Sequence, residues 1–83
     1  MFNKNDLLSL TCVEDKYILP VALIIDASHD KDIIGYYLDL LIDGLILHAF
    51  IMKTEMNDDD GYYGFFVCDD EFWKQITFKV EKQ

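Results

Sequence analysis

The dipeptide Asp43-Gly44 constrains this chain more than any other feature. A two-residue hairpin turn needs positive φ at both positions, and Asp followed by Gly is one of the few pairs that adopt it at little cost. The pair stands between two apolar arms, Tyr36 to Ile42 and Leu45 to Ile51. The arms are therefore expected to pair antiparallel, with Ile42 opposite Leu45, Leu40 opposite Leu47, Leu38 opposite Ala49 and Asp39 opposite His48. That register sets a carboxylate beside the imidazole of the second arm, so turn chemistry and side-chain chemistry agree. A competing reading fits the first arm. Ile33, Ile34, Tyr37, Leu38, Leu41 and Ile42 recur at helical spacing, Ser28 or Asp30 stands where a cap belongs, and Gly44 falls just past the end. The internal Gly35 and the Ile and Tyr content make a mediocre helix, and this favours the hairpin.

The other segments extend the pattern. Tyr17 to Ile25 is composed like a strand but contains Pro20, which has no N–H for a ladder, so it belongs at a sheet edge or beside a bulge. The run from Asn57 to Gly61 is made of turn formers and reads as a loop. Tyr62 to Cys68 returns as a strand, Asp70 can cap a single helical turn through Lys74, and Ile76 to Glu81 alternates as a last strand. Leu7 to Val13 fits either a strand or a short helix. The expected fold is a single domain, residues 1–83, mainly β: an antiparallel meander or small barrel with one or two short helices. The alternative is α+β, with a helix at about 30–43 packed on an antiparallel sheet.

Sixteen Asp and Glu against seven Lys and no Arg give a formal charge of -9. A negative surface without guanidinium groups repels nucleic acid and anionic lipid, so direct binding of either is not expected. The sign favours a basic protein partner. With 52% hydrophobic residues the chain has more apolar surface than a domain of this size can hide, and this leaves room for a homodimer. Cys12 and Cys68 belong to no ligand-pair spacing and read as buried thiols. The N-terminus has no basic segment followed by a long apolar one, and no apolar run approaches about 20 residues, so the expected location is the cytoplasm.

Catalytic and metal chemistry find little to work with. Asp26-Ala27-Ser28-His29-Asp30 places hydroxyl, imidazole and carboxylate close in sequence, yet immediate neighbours seldom aim at one another and no nucleophile elbow accompanies them. Counting a calcium loop from Asp58 puts Tyr63 where glycine is needed and Asp69 where glutamate is needed. No enzyme activity, cofactor or metal is expected. What remains is the stretch from Glu55 to Glu71, with seven acids in 17 residues, no basic residue, and interleaved aromatics. Glu55, Asp58, Asp59, Asp60, Asp69, Asp70 and Glu71, together with Tyr62, Tyr63 and Trp73, are the expected partner-binding residues, the acids steering and the rings anchoring. The function this suggests is an inhibitor or immunity-type protein that blocks a basic, nucleic-acid-handling protein as a nucleic-acid mimic. The alternative is a structural or assembly module that forms a homo-oligomer or part of a larger complex.

Overall fold

The computed structural model describes residues 2–30, 35–56 and 58–83. Among the described residues six antiparallel strands follow one another around a closed barrel: β1 (Leu7–Cys12), β2 (Ala22–Asp30), β3 (Gly35–Ile42), β4 (Leu45–Met56), β5 (Asp59–Phe66) and β6 (Thr77–Lys82). One helical turn, α1 (Glu71–Lys74), lies between β5 and β6. The expected mainly-β small barrel is the fold, and the helical alternative at 30–43 is not. Residues 35–42 are strand, and the part of that alternative at 31–34 lies outside the described residues.

The hairpin forms as its turn chemistry dictates. Asp43 has φ 49° and Gly44 φ 81°, and the ladder runs Ile42 with Leu45, Leu40 with Leu47, Asp39 with His48 and Leu38 with Ala49. At the next hairpin β4 runs on to Met56 and β5 begins at Asp59. Asp59, Asp60 and Gly61, expected in a loop, are therefore strand residues, because Glu55 and Met56 continue the ladder opposite Asp60 and Asp59. Asn57 lies outside the described residues. Pro20 falls before β2, in a stretch tied to β1 by Leu19 N–H donating to Leu10 C=O at 2.9 Å. The bulge comes later than Pro20, between Ile24 and Asp26. It turns β2 where its pairing with β1 ends, only Leu7 with Leu23 and Leu8 with Ala22 being matched.

The seam between first and last strand closes through five pairs, Leu8 with Lys82 to Cys12 with Phe78. Closure removes the exposed edges that a six-strand meander would leave. Alternate residues of each strand point inward. Leu8, Leu10, Ala22, Ile24, Leu38, Leu40, Ile42, Leu47, Ala49, Ile51, Phe66, Phe78 and Val80 fill the interior. Phe2 plugs one mouth, edge-on to Tyr36 and Tyr62 at centroid distances of 5.3 and 4.8 Å. Gly64 lets β4 and β5 approach inside the wall, since a Cβ there would meet Ile51 Cγ2 and the Phe50 carbonyl oxygen within about 2.5 Å.

Candidate functional site

The acidic stretch does not gather on one face. Glu55, Asp58, Asp59 and Asp60 surround the β4–β5 turn, whereas Asp69, Asp70 and Glu71 follow the opposite end of β5. Six strand residues, Gly61 to Phe66, separate the groups by about 20 Å, more than two screening lengths at physiological salt. Each group also has local work. Asp70 caps α1, accepting from Phe72 N–H at 2.9 Å and Trp73 N–H at 3.2 Å, and Glu71 lies in the first turn where a negative charge suits the helix end. Asp59 pairs with Lys79 at 2.5 Å, and this hydrogen bond holds the Asp59 carboxyl below its usual range and the Lys79 ammonium above its own. Asp58 takes a left-handed φ of 62°, which Asp tolerates.

The three expected aromatic anchors are all engaged in packing. Tyr62 points into the barrel against Phe2. Tyr63 is buried on the outer wall, and its hydroxyl donates to the Asp59 carbonyl at 3.0 Å. Burial raises its ionisation above the usual phenol value. Trp73 stands edge-on to Phe66 at 5.3 Å and is half-buried. Both cysteines are half-buried free thiols rather than fully buried ones. Among the described residues no group of His, Cys, Asp and Glu is arranged to hold a metal ion, and no helix is long and apolar enough to cross a membrane.

A different surface draws exposed apolar residues together. Since Leu38, Leu40, Leu47 and Ala49 point inward, Tyr37, Asp39, Leu41, Ile46, His48 and Phe50 point out, and the register lines them up in rows. One row runs Leu7, Leu23, Leu41, Ile46 across β1 to β4. Another runs Tyr37, Phe50, Phe65 across β3 to β5. Between them lies a polar row, Asp26, Asp39, His48, with Val67 joined to it by donating its N–H to the His48 carbonyl at 2.8 Å. Apolar side chains thus flank one polar pair, His48 Nδ1 to Asp39 Oδ1 at 2.5 Å, on every side but that of Asp26. Ile46 is 61% exposed, Val67 52%, Phe65 48% and Tyr37 47%, so these side chains face water.

Phe50 is the packed centre of this wall. Only 9% exposed although it points outward, it lies over Gly35, where a Cβ would come within 2.6 Å of the ring. Tyr37 and Phe65 flank it at centroid distances of 4.9 and 5.8 Å. An aromatic ring covering a strand glycine protects the backbone that glycine exposes. Phe50, Phe65, Met52 and Tyr63 also bound a shallow apolar slot of about 100 Å³.

The Asp39–His48 pair is a hydrogen bond when Nδ1 carries the proton, which it donates to Asp39, and an ion pair when both ring nitrogens are protonated. Open to solvent, such a pair contributes about 0–1 kcal/mol. Covered by a partner, it becomes a test of fit, because removing either group then strands the other without water.

Charge density along Glu55 to Glu71 draws attention away from this wall, which shows in the sequence only through alternation. The signal was present in the hairpin: both faces of Tyr36–Ile42 and Leu45–Ile51 are apolar, and a barrel interior takes only one of them. Comparison with family models, with curated proteins and with solved structures finds no match to this chain.

Proposed function

We propose that the chain is a non-catalytic binding protein that holds a basic protein partner against the outer wall of β2 to β5. The observation that carries this reading is the set of apolar side chains, Leu41, Ile46, Val67, Phe65, Phe50 and Tyr37, that flank the Asp39–His48 pair. Exposed apolar patches of this kind mark interaction sites, and a polar pair within one confers selectivity. The partner's sign follows from charge. Asp26 and Asp39 lie in the wall, Asp43 at its hairpin turn and Asp69, Asp70 and Glu71 beyond β5, in a chain of net charge -9. Proteins that grip nucleic acid carry matching positive grooves, so inhibition of such a protein is the activity this surface suits best. On this reading the protein works in the cytoplasm, where Cys12 and Cys68 remain thiols.

A second reading, self-assembly, is supported by the row Leu7, Leu23, Leu41, Ile46, which a second copy related by a two-fold axis would cover. One experiment separates them. The wild type and an Ile46→Ser, Phe65→Ser double variant are immobilised and challenged with lysate at about 50 mM and about 300 mM salt, while each is sized by light scattering. A basic protein held by the wild type at low salt, and lost from the variant, supports the first reading. A dimer that the variant dissolves supports the second. Equal capture by both proteins rules the wall out.

A further inference from the structure

We propose that the groove over Tyr63, on the wall formed by β5, β6 and β1, is a binding site for a small zwitterion, a molecule carrying one ammonium and one carboxylate a short chain apart. It does not depend on the function proposed above: Lys16, Lys79 and Glu81 stand on β6 and in the turn after β1, and Asp59 stands at the start of β5, at the other end of that strand from Phe65 and Val67.

The groove measures about 280 Å³, close to the lower size of small-molecule sites. Its floor is the Tyr63 ring, held in place by burial and by the hydroxyl's bond to the Asp59 carbonyl. At one side the chain turns back after β1, Lys16 N–H donating to Cys12 C=O at 3.0 Å, with Lys16 itself at φ 62°. That turn brings the Lys16 side chain to the groove. Strand β6 sends Lys79 and Glu81 to the same face, two residues apart. From β5, Asp59 meets Lys79 at 2.5 Å.

Four charges, two of each sign, therefore line a space large enough for a molecule of a few heavy atoms. A lone anion would meet Lys16 and Lys79 but also Asp59, Glu81 and the field of a chain with net charge -9. A lone cation would be attracted to the chain as a whole and repelled by both ammonium groups at the site. An apolar molecule would strip water from four charged groups without replacing it. A zwitterion answers both signs at once. Capacity remains for it: Lys79 keeps two N–H groups beyond the one given to Asp59, and Asp59 keeps a second oxygen. Among the described residues neither Lys16 nor Glu81 is held in an ion pair.

The test is an amide-resolved NMR titration of the whole chain at low salt with glycine, β-alanine, 4-aminobutyrate and 6-aminohexanoate. Acetate and ethylammonium serve as the two halves. One chain length should shift the amides of Thr11, Val13 and Lys16 with a dissociation constant on the order of 1 mM, as suits exposed charge pairs on a small ligand. Each half alone should bind about tenfold more weakly or worse, because it leaves half of the site unanswered. Lys16→Gln and Glu81→Gln are exposed changes that remove one charge each and keep a polar side chain; each should weaken binding about fivefold or more, with the remaining spectrum unmoved. Acetate binding as tightly as the best zwitterion would make this a plain anion site and overturn the proposal. So would the absence of any shift at these amides up to about 50 mM, some fiftyfold above the expected constant.

Discussion

Gly64→Ala tests the claim that close approach of β4 and β5 sets the shape of the barrel. The new Cβ would collide with Ile51 Cγ2 and sit 2.5 Å from the Phe50 carbonyl oxygen. Ile51 is fully buried and the carbonyl belongs to the ladder, so neither neighbour has room to withdraw. The strands must part instead, and the cost falls at the upper end of overpacking penalties, about 3 kcal/mol. For a chain of 83 residues the whole stability is about 4–12 kcal/mol. At about 4–8 °C per kcal/mol, Tm should fall by about 12–24 °C. Gly61→Ala on the same strand is the control. Its Cβ would meet only Lys79 Cε at 3.5 Å, an ordinary contact, and the loss of backbone freedom in the unfolded chain should leave stability equal or higher by up to about 1 kcal/mol. Urea unfolding reports both, followed by the fluorescence of Trp73, which packs on Phe66 and is the single tryptophan. If Gly64→Ala stays within about 0.5 kcal/mol of the wild type, or Gly61→Ala costs as much, the packing argument is wrong.

Other substitutions separate scaffold from surface. Phe50→Ala should cost about 3–5 kcal/mol and Phe65→Ala less than about 1 kcal/mol, as thermal unfolding will show, although both rings point outward; only the first is buried, over Gly35. Phe2→Ala should unplug the mouth beside Tyr36 and Tyr62 and lower stability by about 3 kcal/mol, with faster amide exchange in β3 and β5 as its signature. Asp59→Asn should flatten the acid limb of the stability profile. The hydrogen bond from Lys79 keeps the folded-state value of Asp59 below the ordinary one, so its contribution is complete above about pH 4 and fades as pH falls toward the folded value; superimposable acid limbs would contradict this. Asp58→Asn with Asp60→Asn removes two exposed charges about 20 Å from the other acid group, and should slow association with a basic partner only at low salt, as stopped-flow mixing will reveal.

The hairpin around Asp43-Gly44 was legible because its information is local: positive φ at two adjacent positions selects the turn, and the turn selects the register down to Asp39 opposite His48. The Asp70 cap and the helical turn through Lys74 were legible for the same reason. The helical alternative for residues 30–43 arose because Tyr37, Leu38, Leu41 and Ile42 satisfy both periods, and only a partner strand on each side decides between them. The length of the β4–β5 hairpin is not legible locally, because Asp59, Asp60 and Gly61 are poor strand formers alone and the ladder to Glu55 and Met56 overrides that preference.

By itself, then, the amino-acid order determined an acidic, strand-rich single chain, its tightest turn and the pairing across it. Whether the chain of strands closes was decided by contacts distant in sequence, Leu8 to Cys12 meeting Phe78 to Lys82, which no local pattern announces. Closure also decided which aromatics are surface. Tyr62 and Trp73 look like anchors in a list of residues, yet the barrel turns one inward and lays the other on Phe66. Phe65 and Ile46, alternating in strands that read as core, are left facing water because the interior admits one face of each strand and, among the described residues, nothing covers the opposite face.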